Sequence, residues 1–224
     1  MKNLMLFVFF IFVLFSCGYS EVRKENLTRP TFENEKRIYL ERFAVEFIPT
    51  YYVWTTKYSE FMDLEDAKEG TLFKVVKKLS LIDTIFTVED IKNKDKITLR
   101  QVSKKDNTTD LVFYNIYDNN SLIGEIKQSS NLDFDNFDLF YKGKQYLISG
   151  KTNKFQENII NSFNFTISDD KEVLSHIFRE YYYLKNEYEI IINKNKEEIP
   201  DMVFIATGVF LDQILRSQGY DYKN

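Results

Sequence analysis

Met202-Val203-Phe204-Ile205-Ala206-Thr207-Gly208-Val209-Phe210-Leu211-Asp212-Gln213-Ile214-Leu215 decides how the rest of the chain must be arranged. Wound at 3.6 residues per turn, its apolar members cover nearly the whole circumference instead of one stripe, and no wettable side opens until Asp212, Gln213 and Arg216. Pro200 fits the first turn of such a helix, where its missing N–H would have no partner, and Gly219 marks a stop. The pattern predicts a helix near 201–216 enclosed on all sides. Protein rather than lipid encloses it, because a membrane span takes about 20 apolar residues and this run is far shorter. Burying roughly eight large apolar side chains at about 1.5–3 kcal/mol each yields a gross gain on the order of 10–25 kcal/mol before chain entropy is charged.

The rest of the chain supplies the enclosure. Ile38, Leu40, Phe43, Val45 and Phe47 partly alternate with charged residues. Aromatic and β-branched stretches follow at 51–56, 71–76, 84–88, 96–100, 111–117, 121–128, 138–141, 145–149, 162–167, 173–183 and 187–192. With 7 Gly and 3 Pro, turns fall to Asn, Asp and Lys clusters such as 92–96, 118–121 and 168–171. Short strands at this spacing predict a mainly β fold, a closed antiparallel barrel of about twelve strands around a central hydrophobic C-terminal helix. Closure removes the sheet edges and also provides the lining that an all-round apolar helix requires. An ungapped echo between 72–88 and 174–190, strand, polar step, second strand, is consistent with a repeated hairpin.

A length of 224 residues without a Pro/Gly/Ser-rich linker fits one domain. A formal net charge of −4, with no basic block to offset it, argues against nucleic acid as a partner. The N-terminus differs in character from the rest. Lys2 precedes an apolar run from Leu4 to Phe15, too short for a stable span and typical of a signal h-region. Leu14-Phe15-Ser16-Cys17, with Gly18 after it, resembles a bacterial lipobox, although Phe15 stands where that pattern has a small or hydroxyl residue. Cys17 is the only cysteine, as expected where one thiol carries a diacylglyceryl group and no disulfide is formed. The resemblance implies a signal peptide at 1–16, lipid attachment at Cys17, a lipidated tether at 17–35 and a barrel domain at 36–224. Two or more acyl chains at about 0.8 kcal/mol per buried CH₂ make such an anchor stable. The expected location is the bacterial cell envelope, on a membrane face that the sequence leaves open.

Glu69-Gly70-Thr71-Leu72-Phe73-Lys74-Val75, Leu79-Ser80-Leu81-Ile82-Asp83-Thr84 and Ile97-Thr98-Leu99-Arg100 resemble the repeated strand pattern of the tubby C-terminal-like superfamily, in its LURP-one-related and phospholipid-scramblase-like branch. Asn120-Ser121-Leu122-Ile123-Gly124-Glu125-Ile126 is similar to that branch's strand with an internal glycine. Phe204-Ile205-Ala206 with Phe210-Leu211-Asp212-Gln213-Ile214 resembles its terminal helix, which runs through a twelve-stranded barrel and carries an acid near its end. The resemblance covers roughly 51–216. It implies an interaction with phospholipid headgroups, while the tubby proteins' basic phosphoinositide motif has no counterpart here. Long loops are expected at 103–110 and 131–138.

No catalytic set assembles. His176 is the only histidine, which leaves no zinc or copper cluster and no base for a nucleophile, and it reads as a surface or satisfied core residue. Asp133, Asp135 and Asp138 crowd together but lack the glycine and the distal acid of a calcium loop, so they read as a solvated acidic loop. Lys74, Lys77 and Lys78 form the most compact basic group, read chiefly as edge-protecting lysines and otherwise as contacts for headgroups. Asp212 is expected to be solvated or hydrogen-bonded at the barrel mouth, and Tyr181-Tyr182-Tyr183 to serve packing. The expectation is an envelope-anchored, non-catalytic binding module without cofactor or metal, contacting phospholipid headgroups, with protein partners met through aromatic loops as the alternative.

Overall fold

Alternation marks the inner face where a strand is covered on one side only. In β4 (Ile85–Asp90) Phe86 and Val88 are buried while their neighbours are not, and Ile97 and Leu99 repeat the period in β5 (Lys96–Val102). β1 (Glu35–Phe43), β2 (Thr50–Trp54), β3 (Phe73–Lys78), β6 (Phe113–Asp118), β7 (Ser121–Ser130), β8 (Asp133–Tyr141), β9 (Lys144–Asn153), β10 (Ser162–Ser168), β11 (Val173–Tyr182) and β12 (Lys185–Asn193) complete the set. Each strand runs antiparallel to the next, and β1 also pairs with β12, so the twelve strands form a closed barrel in chain order. The architecture is that of a computed structural model, which describes residues 30–43, 50–55, 70–78, 84–102, 113–130, 133–153, 162–182, 185–196 and 199–217. One compact unit runs from Phe32 to Asn224; Met1–Thr31 forms a separate one, which lies outside the described residues except for Pro30 and Thr31. The leader, Cys17, Val45, Phe47, Tyr183, Gly219 and the expected loop at 103–110 likewise lie outside them.

Helix α1 (Asp201–Ser217) occupies the barrel. It is buried from Val203 through Asp212 without a break, as an all-round apolar helix must be. Phe204, Val209 and Phe210 are each at most 1% exposed. Phe210 meets Phe137 and Tyr114 edge-on, at ring-centroid distances of 5.2 and 5.5 Å. Gly208 permits close approach to the wall, since a Cβ there would lie 3.0 Å from Leu40 Cδ2 and 3.4 Å from Ile190 Cδ1. The buried Thr207 hydroxyl donates to the Val203 carbonyl one turn back (2.9 Å). Pro200 stands just before the helix, where its carbonyl accepts from the Val203 N–H (2.9 Å) and Lys36 of β1 pairs with Asp201.

The Asn, Asp and Lys clusters do make the turns. Asn119-Asn120 and Lys142-Gly143 join their hairpins with both central residues at positive φ, the backbone that matches the strand twist. Asp90 Oδ1 accepts from the Lys92 and Asn93 N–H groups, and Asp169 Oδ1 accepts from those of Lys171 and Glu172, so side chains replace glycine as turn formers. The echoed hairpins share one register: Phe73 opposes Asp90 as Ser175 opposes Ile192. They stand four places apart round the ring, so they are similar hairpins rather than the two halves of the barrel.

The chain departs from the sequence reading in β8, which begins at Asp133 where an acidic loop was expected. Phe137, Leu139 and Tyr141 face the core, and that parity turns Asp138 outward, where Gln145 donates to it (3.0 Å). Phe32–Glu35, expected at the end of the tether, belong to the barrel unit. Among the described residues no helix is long and apolar enough to cross a membrane. The outer wall carries Lys74, Glu89, Arg100, Glu125, Lys127 and Asp138 over an apolar interior, the inverse of a membrane-spanning barrel.

Candidate functional site

At the end of the barrel where α1 terminates, the core turns polar. Asp212 is fully buried, and its carboxylate accepts from the hydroxyls of Tyr51 on β2 and Tyr188 on β12 (3.0 Å for the latter). The Gln213 amide donates to the Tyr51 oxygen (2.9 Å). Burial, then the Asp212 charge, push the Tyr51 phenol well above its ordinary value, against the opposing pull of the Arg42 guanidinium. The acid near the helix end is therefore hydrogen-bonded, as expected, but sealed from water.

Basic residues stand at this same end of the barrel. Arg42 continues the inward parity of Ile38 and Leu40, and Arg179 that of Ile177; they are 8% and 0% exposed. Arg179 stands opposite Tyr188, with its guanidinium 5.7 Å from the Phe163 ring centroid. Arg216 lies one turn beyond Asp212 on α1. Lys77 opposes the interior Phe86, with its ammonium 5.9 Å from that ring, and Phe86 packs on Tyr51. Lys74 and Lys78 fall on the outer face by the two-residue period, so the three lysines do not form one patch. The barrel has no edge for them to protect.

A second feature is a groove of about 830 Å³ on the outside, between the β8–β9 and β10–β11 turns. Asp138, Asp170 and Glu172 line it with Lys144 and Lys171, and Leu147 lies in it 43% exposed. Lys144 also pairs with Asp169 (3.5 Å), whose carboxyl the Lys171 N–H holds below its usual value. Among the described residues no His, Cys, Asp and Glu group could hold a metal. His176 faces outward on β11, half-buried and stacked on Phe32, away from both features. Tyr181 and Tyr182 pair with Asn186 and Lys185 at the strand ends.

Sequence reasoning passed over Tyr51, Tyr188, Arg42 and Arg179. The available signal was a basic residue at the inward parity of an otherwise apolar strand. Tyr114, 3% exposed beside Phe210, gives a pH readout for this end of the core. Burial pushes its phenol up to about 12 from 10.0. Its folded value exceeds the unfolded one, so its contribution is intact below pH 10 and is lost as pH rises toward 12. Urea unfolding is expected to show on the order of 2 kcal/mol less stability at pH 12 than at pH 9, reduced in part by Tyr114→Phe; a flat profile would contradict this.

Compared with models of known families, with curated proteins and with solved structures, the chain matches none.

Proposed function

We propose that this chain is a lipoprotein held in the bacterial cell envelope through Cys17, with a tubby-like barrel acting as a non-catalytic module that binds anionic phospholipid headgroups. The observation that carries the reading is the placing of the part-exposed Lys77 and Arg216, with the buried Arg42 and Arg179 behind them, at the end of the barrel where α1 ends. The sign of that charge supports it, not any vacancy, since the arginines keep contacts of their own. A chain of net charge −4 has little general attraction for an anionic surface, so binding would report this local rim.

The anchor is tested with labelled palmitate, which enters the chain and is lost in Cys17→Ser. The module is tested with the leaderless chain bearing that same substitution, floated with vesicles. It rises with phosphatidylglycerol and not with phosphatidylcholine alone. Lys77→Glu reverses one basic charge, worth about 2 kcal/mol near an anionic surface, so affinity falls on the order of thirtyfold. Absence of binding to every headgroup would overturn the lipid reading. The outer groove favours a protein partner as the second reading; a photo-crosslinker at Leu147 in intact cells would then capture a polypeptide.

A further inference from the structure

Phe32–Asn34 lead into β1 on the outside of the wall and are held at three places, one of them Asn34, whose carbonyl accepts from the Lys194 N–H (2.9 Å) and whose amide donates to Asn195 Oδ1 (3.2 Å). The Phe32 ring stacks on His176, with centroids 5.3 Å apart and planes 27° from parallel. The Phe32 N–H donates to Glu35 Oε2 (3.2 Å). Glu35 in turn accepts from Arg37 Nε (2.7 Å), and Arg37 reaches Glu189 (2.8 Å), which also accepts from Tyr39. Asn34 and Glu35 are thus held by hydrogen bonds and charges running into the wall, whereas Phe32 is held by one aromatic face against one imidazole.

That imidazole lies in an apolar setting. Across the sheet it faces Thr166 of β10 and Ile191 of β12, the latter fully buried, and Phe178 lies next along its own face of β11. The charged groups on that face are Glu189 of β12, opposite Phe178, and Arg37 of β1, opposite Ile191; the carboxylates of Glu35 and Glu189 both accept from Arg37. His176 Nδ1 is buried and has no hydrogen-bond partner. A neutral ring tolerates this with an idle nitrogen, but an imidazolium would present a buried N–H with no acceptor and a charge in a largely apolar setting.

We infer that the chain at Phe32 is an acid-released strap, docked on the wall while His176 is neutral and freed when His176 takes a proton. Undocking bares the imidazole to water, so protons bind the undocked form more tightly, and by linkage low pH favours release. Burial alone holds the His176 value below its usual 6.5, in the direction this requires. Release frees Phe32 and Glu33 from the wall and lengthens the reach of the chain before Asn34. The inference does not depend on headgroup binding.

Because His176 is the only histidine, one imidazole C2–H resonance reports its titration in the full-length barrel. The midpoint is expected below 6.5 in the native chain and higher in Phe32→Ala, which removes the stacked ring. A nitroxide at Thr31→Cys, in a Cys17→Ser background, is expected to gain mobility between pH 7 and pH 5. In His176→Phe, which keeps an aromatic face and cannot titrate, that gain disappears. A midpoint at or above 6.5, a midpoint indifferent to Phe32→Ala, or an equal gain in His176→Phe would each overturn the strap. Near-ultraviolet circular dichroism of each variant verifies that the barrel is intact.

Discussion

Phe210→Ala is expected to cost about 3–5 kcal/mol, read as a fall in the urea midpoint without a change in slope. For a chain of this size that is a drop in Tm on the order of 6–20 °C. The reason is geometric. Phe210 lies on the barrel axis at 0% exposure, with Phe137 of β8 and Tyr114 of β6 edge-on to its ring. The wall that faces it is a closed ring of hydrogen-bonded strands, which cannot collapse inward as a helix–helix interface can. The vacated volume therefore stays largely empty, which places the cost toward the upper part of the range for a buried phenylalanine. Leu122→Ala is the contrasting variant, since Leu122 is 60% exposed beside a hairpin turn and should change stability by no more than about 0.5 kcal/mol. Equal effects of the two substitutions would contradict an enclosed helix.

That enclosure was legible in the sequence because two periods conflict nowhere. Fourteen residues with apolar positions on every side of a 3.6-fold wheel, after a long series of two-fold alternations, admit few arrangements besides a helix inside a closed sheet. The turns were legible for a related reason: Asp90 and Asp169 cap their own backbone within three residues, so their chemistry is local. Reading failed where a local signal was overruled by a partner. The run 133–138 looks like a solvated loop until Phe137 is given an inward place opposite Ile148, after which pairing of Asp138 with β9 and β7, and of Asp133 with β7, makes it a strand. The lysine trio was misjudged by treating neighbours in sequence as neighbours on a surface, although period two alone puts Lys77 on the face opposite to Lys74 and Lys78. The polar rim was out of reach for a different reason. Asp212 meets Tyr51 across 161 residues, and no pattern within either segment names the other.

Asp212→Ala is expected to be as damaging as the loss of Phe210, about 3–5 kcal/mol, although the side chain is far smaller. Two buried phenols lose their acceptor, each at about 1–3 kcal/mol, and the Arg42 guanidinium beside Tyr51 loses the neighbouring negative charge. Asp212→Asn keeps the shape and one acceptor oxygen, so its cost should fall between that of Ala and the native chain. The informative measurement is coupling. Tyr51→Phe, Tyr188→Phe and Asp212→Leu made together remove donors and acceptor at once and leave a packed apolar cluster, so their combined cost should be smaller than the sum of the separate costs by roughly 0.5–3 kcal/mol. Additive costs would mean that the three side chains act independently and that the rim is held by packing alone. Sub-additive costs would instead make this polar cluster a latch that fixes the depth of the helix in the barrel, since Tyr51 and Tyr188 sit on β2 and β12, the strands on either side of the closing strand β1.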